Sequence, residues 1–228
     1  MIIGTGQLAQ AFYDFSNHEC CIFASGVANS NCIDTSEFER EHQLLTNALM
    51  DNTSKKFVYF SSCALSAKEY ELNDYYKHKI HMEETIKKYS DNYYIFRIPQ
   101  LFGNMKKHST LINFLYRKIK EKQKFTIYKG AYRYIIEIND VRTLVEKIIA
   151  EHPSGLTMDL ANPYRYSILE IVQTIETLLH TNALYDTVNK HNSYLLNLEK
   201  LNQFLSVSHV DLDFGKDYLE EKLKRRLN

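Results

Sequence analysis

Two serines, a tyrosine and a lysine fall within "FVYFSSCALSAKEYELNDYYKHK", residues 57–79. Ser61 and Ser62 follow the β-formers Phe57 to Phe60 and so stand at the end of a strand. Open α/β sheets bind ligands at the carboxyl ends of their strands, where a serine hydroxyl can hydrogen-bond a reacting carbonyl or alcohol. Tyr75 and Lys79 are one helical turn apart, so their side chains share a face. An ammonium beside a phenol favours the phenolate and lowers its pKa toward neutrality, which makes a usable general acid/base. Tyr76 is a rival phenol, but Ile80 stands four residues beyond it, and Tyr75 alone of the two has the lysine. The bland alternative is a pair of strand-ending serines and a solvated Tyr and Lys. The order of strand, serines and Tyr/Lys helix favours chemistry.

A second motif opens the chain. "MIIGTGQLA" places Gly4 and Gly6 after a short strand, with Ala9 on the helix that follows. Small residues at this turn let a pyrophosphate approach the backbone, and a helix N-terminus favours an anion. Strand–Gly–helix turns are common, so the motif gains weight only from its place at the first βα turn.

The elements that must position these residues alternate. Strand-like "CCIFAS", "KFVYFSS", "YYIFRIP" and "LTMDLA" are interleaved with helical stretches at 7–15, 36–51, 70–90 and 139–152. Ser36 reads as an N-cap with Glu39 completing a capping box, and Ser167 as the cap of a later helix. "FTIYKGAYRYIIEI" reads as two strand-like runs around Gly130, and the last third as helix-rich. The pattern predicts a parallel sheet covered on both faces. No repeat or low-complexity stretch interrupts it.

The totals narrow the functions. The chain has 228 residues, with 28 Lys+Arg against 28 Asp+Glu. A net charge of zero offers no field for nucleic acid or an anionic membrane. No run reaches the length of a membrane span, and no secretion signal is read at Met1, so a cytoplasmic protein is expected. The four cysteines, Cys20, Cys21, Cys32 and Cys63, form no C-x-x-C pair, so free thiols and no metal site are expected. His78 and His81 flank Lys79 without a third ligand in view.

Five segments in order resemble the extended short-chain dehydrogenase/reductases that act on nucleotide sugars. "FVYFSSCAL" is similar to that family's strand and Ser-Ser turn, and "YYKHKIHMEE" to its Tyr-x-x-x-Lys helix. "YIFRIPQLFGN" is similar to its Arg-x-x-Asn-x-Tyr-Gly segment, "RYIIEINDVRTLVEKII" to its Arg-Asp-Phe-Ile-His segment and helix, and "LTMDLANPYRYSILEIVQTIETLL" to its late strand, loop and helix. The resemblance implies a Rossmann-like α/β fold with a small C-terminal substrate lobe. It places 1–103 and 134–165 in the core, and 104–133 and 166–228 in the lobe. It implies that Ser62 orients a substrate oxygen, Tyr75 moves its proton, and Lys79 tunes Tyr75 and holds a nicotinamide ribose. NAD or NADP would meet Gly4, Gly6, Ala9, Ala24, Ser61, Lys79 and Pro99. A nucleotide sugar would meet Cys63, Gln100, Asn104, His108 and Arg133, the last through its diphosphate. A homodimer is implied as well, pairing the helix after "GVANS" with the Tyr/Lys helix.

The departures are as informative. One strand, "CCIFAS", lies between the Gly turn and "FVYF", where the family has more. It matches the family's fourth strand best and its second strand less well. On the first matching, strands two and three are deleted, and with them the acidic residue that grips the adenosine ribose. The first strand is then a sheet edge, and the dinucleotide is held weakly or not at all. Leu65, Ser66 and Ala67 replace Val-Tyr-Gly, Gln100 replaces Asn, and Glu137 replaces the segment's His. No Asp-Glu pair follows Ser62, which argues against dehydration. Cys63 and His108 also resemble the proton-exchanging pair of epimerase-reductases, beside the plainer reading of a buried small thiol and a surface imidazole.

Overall fold

Strand β3 (Lys56–Ser62) shows why these residues make a central strand. Val58 and Phe60 join one core cluster, while Phe57 and Tyr59 join another. A period of two with apolar side chains on both faces is what a strand buried on both sides requires. The same split holds in β2 (Cys20–Phe23), where Cys20 and Ile22 face one way and Cys21 and Phe23 the other. The computed structural model describes residues 1–15, 17, 19–67, 72–105 and 110–227.

β1 (Ile2–Ile3), β2, β3, β4 (Tyr93–Ile98) and β8 (Leu156–Asp159) form a five-stranded sheet, all parallel and in that spatial order. One face is covered by α2 (Thr35–Asp51) and α3 (Asp74–Tyr89), through Leu45, Leu49, Met82 and Ile86. α1 (Gln7–Ala11), α5 (Ile138–Glu151) and α7 (Glu199–Ser208) contribute Phe12 (just past α1), Leu144, Leu201 and Phe204 to the other. The first strand is the sheet edge, as the sequence predicts: β1 pairs with β2 and nothing lies beyond it among the described residues.

A second cluster gathers the lobe. It joins α4 (Leu111–Lys120), β6 (Phe125–Arg133), β9 (Tyr166–Ser167), α6 (Ile168–Leu179) and α8 (Tyr218–Leu227) around Ile119, Ile127, Ile175 and Leu223. β5 (Gln100–Phe102) pairs with β7 (Ile135–Glu137) at the junction. β6 carries β9 on one side and β10 (Tyr185–Asn192) on the other.

Several expectations are corrected. The lobe does not hold all of 166–228, because Tyr194, Leu198, Leu201, Phe204 and Leu212 pack into the core under the main sheet. The first helix ends at Ala11, short of Phe15. The second helix is capped by Asp34, whose carboxylate accepts from the Ser36 amide, and not by Ser36. Gly130 sits inside a single nine-residue strand, its φ of +80° leaving His191 against the backbone. β10 was not expected, since "YDTVNKHN" is polar and mostly exposed. The Ser167 cap is present with its full capping box to Glu170.

Candidate active site

The candidate site lies at the carboxyl ends of β1, β2 and β3. Gly4 has φ +131°, and a Cβ there would lie 2.4 Å from the Ala24 carbonyl oxygen, so only glycine lets the first turn pass this close to β2. Gly6 precedes α1 with open space around it. Ala9 is buried in the short helix behind it. β3 ends in a 3₁₀ turn, Cys63–Ser66, and the Ser62 hydroxyl accepts from the Ala64 amide at 3.4 Å. Ala64 packs with Val27, Tyr75 and Tyr76, which brings the serine turn against the Tyr/Lys helix. The Ser61 hydroxyl is buried and has no partner among the described residues.

Tyr75 is 7% exposed, and its hydroxyl is hydrogen-bonded to nothing among the described residues. Lys79 is 2% exposed, with Nζ 5.7 Å from the Tyr75 ring centroid. The pairing on one helical face is therefore as the spacing predicts. Its electrostatics are not. The ammonium donates to both oxygens of Glu41, at 2.9 and 3.2 Å, and to the Tyr59 hydroxyl at 3.0 Å. Glu41 is fully buried and also accepts from Tyr59 (2.6 Å) and the Val27 amide (2.6 Å), and lies 3.0 Å from His78 Nε2. Burial alone would raise the Glu41 carboxyl; the His78 hydrogen bond, the Lys79 charge and the Tyr59 hydroxyl outweigh it and hold the group at about 2. Burial lowers the Lys79 ammonium, against the pull of Glu41. Tyr75 is accordingly pushed well above the usual phenol range, by burial first and then by the Glu41 charge. The expected lowering of Tyr75 by Lys79 finds no support: burial comes first, and the ammonium's donors go to Glu41 and Tyr59.

Other candidate residues are placed differently. Cys63 is fully buried, and its thiol donates to the Arg97 carbonyl at 3.1 Å. Burial and then the neighbouring Asp159 raise it well above the ordinary thiol range, which favours the plainer reading of a packed hydrogen-bond donor. Arg97 itself makes a fork onto Glu83, at 2.9 and 2.7 Å. Pro99 separates β4 from β5, and Gln100 enters the β5–β7 pairing. Asn104 offers its carbonyl to Asn113 Nδ2 at 2.8 Å. Arg133, expected at a diphosphate, spends one amino group on the carbonyls of Tyr132 and Asn192, at 2.7 and 2.8 Å. His108 lies outside the described residues.

Glu41, Tyr59 and Gly26 are missing from the sequence reading. A Cβ on Gly26 would lie 2.7 Å from Lys79 Nζ, so this glycine lets the β2–α2 loop close over the ammonium. Glu41 left a signal in the sequence. It falls in the apolar stripe of α2 at Phe38, Glu41, Leu45 and Ala48, where a carboxylate belongs only if something buried pairs with it.

Fit to a dinucleotide is one-sided. The tight Gly4 turn, the unpartnered Ser61 hydroxyl and the unbonded Tyr75 phenol suit a nicotinamide ribose and phosphate. No strand beyond β1 offers an adenosine a surface among the described residues.

No family model and no curated protein matches the chain. Solved structures do match in fold. UDP-N-acetylglucosamine 4-epimerase from Bacillus cereus superposes with a TM-score of 0.71 at 17% identity, over 97% of this chain and 82% of that one. A dTDP-4-dehydrorhamnose reductase from Bacillus anthracis, solved with NADP, gives 0.70 at 17% identity, over 97% and 85%. The UDP-glucose 4-epimerase of Thermus thermophilus, solved with NAD, gives 0.70 at 11% identity, over 97% and 81%. The chain thus has the Rossmann-like α/β fold of these solved structures. It is a shortened version of that fold, ending at β1 on the side where the sequence predicts the loss of two strands.

Proposed function

We propose that the chain is a nucleotide-sugar oxidoreductase or epimerase that uses NAD or NADP, in the making of a surface polysaccharide. The observation that carries the reading is the constellation at the strand ends: an unbonded Tyr75 phenol beside Lys79, facing a serine turn with an unpartnered hydroxyl at Ser61. Three similarly folded proteins act on nucleotide sugars by name. Ser62 would fix the sugar's reacting oxygen and Tyr75 would exchange its proton. Lys79 would hold Tyr75 in place from below. A nicotinamide, when bound, supplies or accepts the hydride. Gly4, Gly6, Ala9, Ala24, Ser61, Lys79 and Pro99 would lie along it, and Gln100, Asn104, His108 and Arg133 toward the sugar nucleotide. With no strand beyond β1 among the described residues to meet an adenosine, the cofactor would be held weakly. The protein would act in the cytoplasm as a homodimer paired through α2 and α3, which light scattering tests. Titration with NADH and NADPH, followed by turnover of nucleotide keto-sugars, tests the activity.

A second reading rests on the closure of Lys79 by Glu41 and Tyr59 together with the bare β1 edge. On it the protein binds a nucleotide sugar or a partner without redox turnover. Binding of a nucleotide sugar with neither NADH nor NADPH bound at millimolar concentration would select this reading over the first.

A further inference from the structure

The buried cluster around Glu41 joins three elements that the catalytic reading does not need to join: α2 through Glu41, β3 through Tyr59, and α3 through His78 and Lys79. An ammonium has three N–H donors and no acceptor. Here they are aimed at the two carboxylate oxygens and the Tyr59 hydroxyl, and the Tyr59 proton goes to the same carboxylate. Glu41 is 0% exposed and Lys79 2%, so the pair is screened little by water. The ammonium reaches Tyr75 only across the ring, 5.7 Å from its centroid, and makes no hydrogen bond to its hydroxyl.

We propose that Glu41 is the positioning residue that sets the charge of this site: by holding Lys79 on its carboxylate it removes the ammonium's influence from Tyr75, which then works as a proton donor and not as a phenolate base. The inference rests on the site assigned above and deepens it by giving the reaction a direction. A phenol kept protonated gives its proton to the oxygen of a keto-sugar as that oxygen gains charge on reduction. In the balance, a reduced nicotinamide would supply the hydride, so C–H and O–H form on the sugar while the carbonyl π bond, the hydride donor's C–H and the Tyr75 O–H break; solvent later reprotonates Tyr75. The same phenol does not take a proton from an alcohol at neutral pH, so the site is built for reductions and against steps that begin with abstraction. Burial of Tyr75 already favours the neutral phenol, and among the described residues the charge part of the tuning has one source. Arg40 is turned to the Ser25 carbonyl, and Glu83 is taken by Arg97. His78 and Tyr59 both point at Glu41. Among the described residues that leaves the Glu41–Lys79 pair as the charges set against Tyr75, with the Tyr76 ring edge-on beside it.

The test needs neither substrate nor cofactor, so its failure is separate from failure of the assigned activity. Tyrosines carrying ¹³C at Cζ report ionisation of each phenol, and Tyr75→Phe assigns the Tyr75 signal. In the wild-type protein that signal stays in its protonated position through the range in which a free tyrosine, at about 10, titrates. In Glu41→Gln it titrates about one to three pH units lower, as an uncancelled neighbouring ammonium requires. Glu41→Gln paired with Lys79→Met removes both charges and returns the signal to its wild-type behaviour, and it serves if the single variant does not fold. A wild-type Tyr75 that ionises clearly below the free-tyrosine value of about 10 overturns the proposal. So does a double variant whose Tyr75 ionises as early as that of a folded Glu41→Gln.

Discussion

The same three groups occur twice in this molecule. Against the central strand of the main sheet, Tyr59 donates to Glu41 at 2.6 Å, Lys79 donates to Glu41 at 2.9 Å, and the ammonium lies 5.2 Å from the Tyr59 ring centroid. Near the C-terminus, Tyr218 donates to Asp140 at 2.5 Å, Lys222 donates to Asp140 at 2.9 Å, and that ammonium lies 5.3 Å from the Tyr218 ring centroid. Each is a buried carboxylate closed by a phenol and a lysine. The difference lies in what stands next to them. Tyr218 also accepts from the Glu137 amide, and Arg226 pairs with Glu137, so the second trio fastens α8 to the start of α5. The first trio has another phenol, Tyr75, and a loop of small residues at strand ends. Burial and ion pairing therefore do not mark a site by themselves; a reactive group left unbonded beside the pair does.

The largest effect that separates the two trios is on turnover. Tyr75→Phe removes only the phenolic hydroxyl and is expected to lower turnover by about 10²- to 10⁴-fold while nucleotide-sugar affinity is nearly unchanged. Tyr218→Phe should leave turnover per folded molecule intact and lower the denaturant midpoint instead. Parallel kinetics and urea unfolding check both.

Removing either lysine should cost stability on a similar scale. Breaking a buried pair from one side leaves a stranded charge and costs about 3–5 kcal/mol. Lys222→Met should show that loss alone in urea unfolding. Lys79→Met should show it together with reduced turnover, and pairing it with Glu41→Gln should recover most of the stability. Equal turnover for the two lysine variants would break the comparison.

Acid brings out the first trio. The Glu41 carboxyl is held below its ordinary 4.5 at about 2. A depressed carboxyl contributes stability that is complete above its unfolded value and is lost as pH falls through the folded one. The loss should therefore run from about pH 4.5 to about 2 and reach about 3 kcal/mol. Glu41→Gln should flatten this window in pH-dependent denaturation without flattening the whole acid limb.

Much of this arrangement was legible before the structure. β3, the serine turn and the Tyr75–Lys79 face follow from β-forming residues, strand-end position and helical spacing. The β1 edge followed from the strand count between "GTG" and "FVYF". What escaped were partners that no local rule pairs. Glu41 reaches Lys79 across 38 residues and Tyr218 reaches Asp140 across 78, so only the tertiary packing of α2 on α3 and of α8 on α5 brings them together. β10 escaped because its side chains are polar on both faces, and its pairing with β6 rests on backbone bonds. The return of α7 to the main sheet escaped because Leu198, Leu201, Leu205 and Phe204 would suit either core.

The smallest expected effect compares two buried hydroxyls, Ser61 at the site and Ser208 at the end of α7, neither with a partner among the described residues. A buried hydroxyl without a hydrogen bond loses its hydration and gains nothing in return, at about 1–3 kcal/mol. Serine to alanine removes that cost and one polar atom while leaving the packing nearly unchanged. Both Ser61→Ala and Ser208→Ala should then be neutral or stabilising by up to about 1 kcal/mol in urea unfolding. They should part on ligand binding. Ser208 lies beneath the sheet, and its loss should leave affinity alone. Ser61 lies at the carboxyl end of β3, before the turn whose Ala64 packs on Tyr75, and a hydroxyl kept there at a cost is explained if a ligand supplies the missing bond. Ser61→Ala should therefore weaken nucleotide or nucleotide-sugar binding by about 5- to 10-fold, one neutral hydrogen bond's worth, as calorimetry would read it. A Ser61→Ala protein that is more stable and binds as well as wild type would place that hydroxyl with Ser208, as an unpaired group of the core and no part of the site.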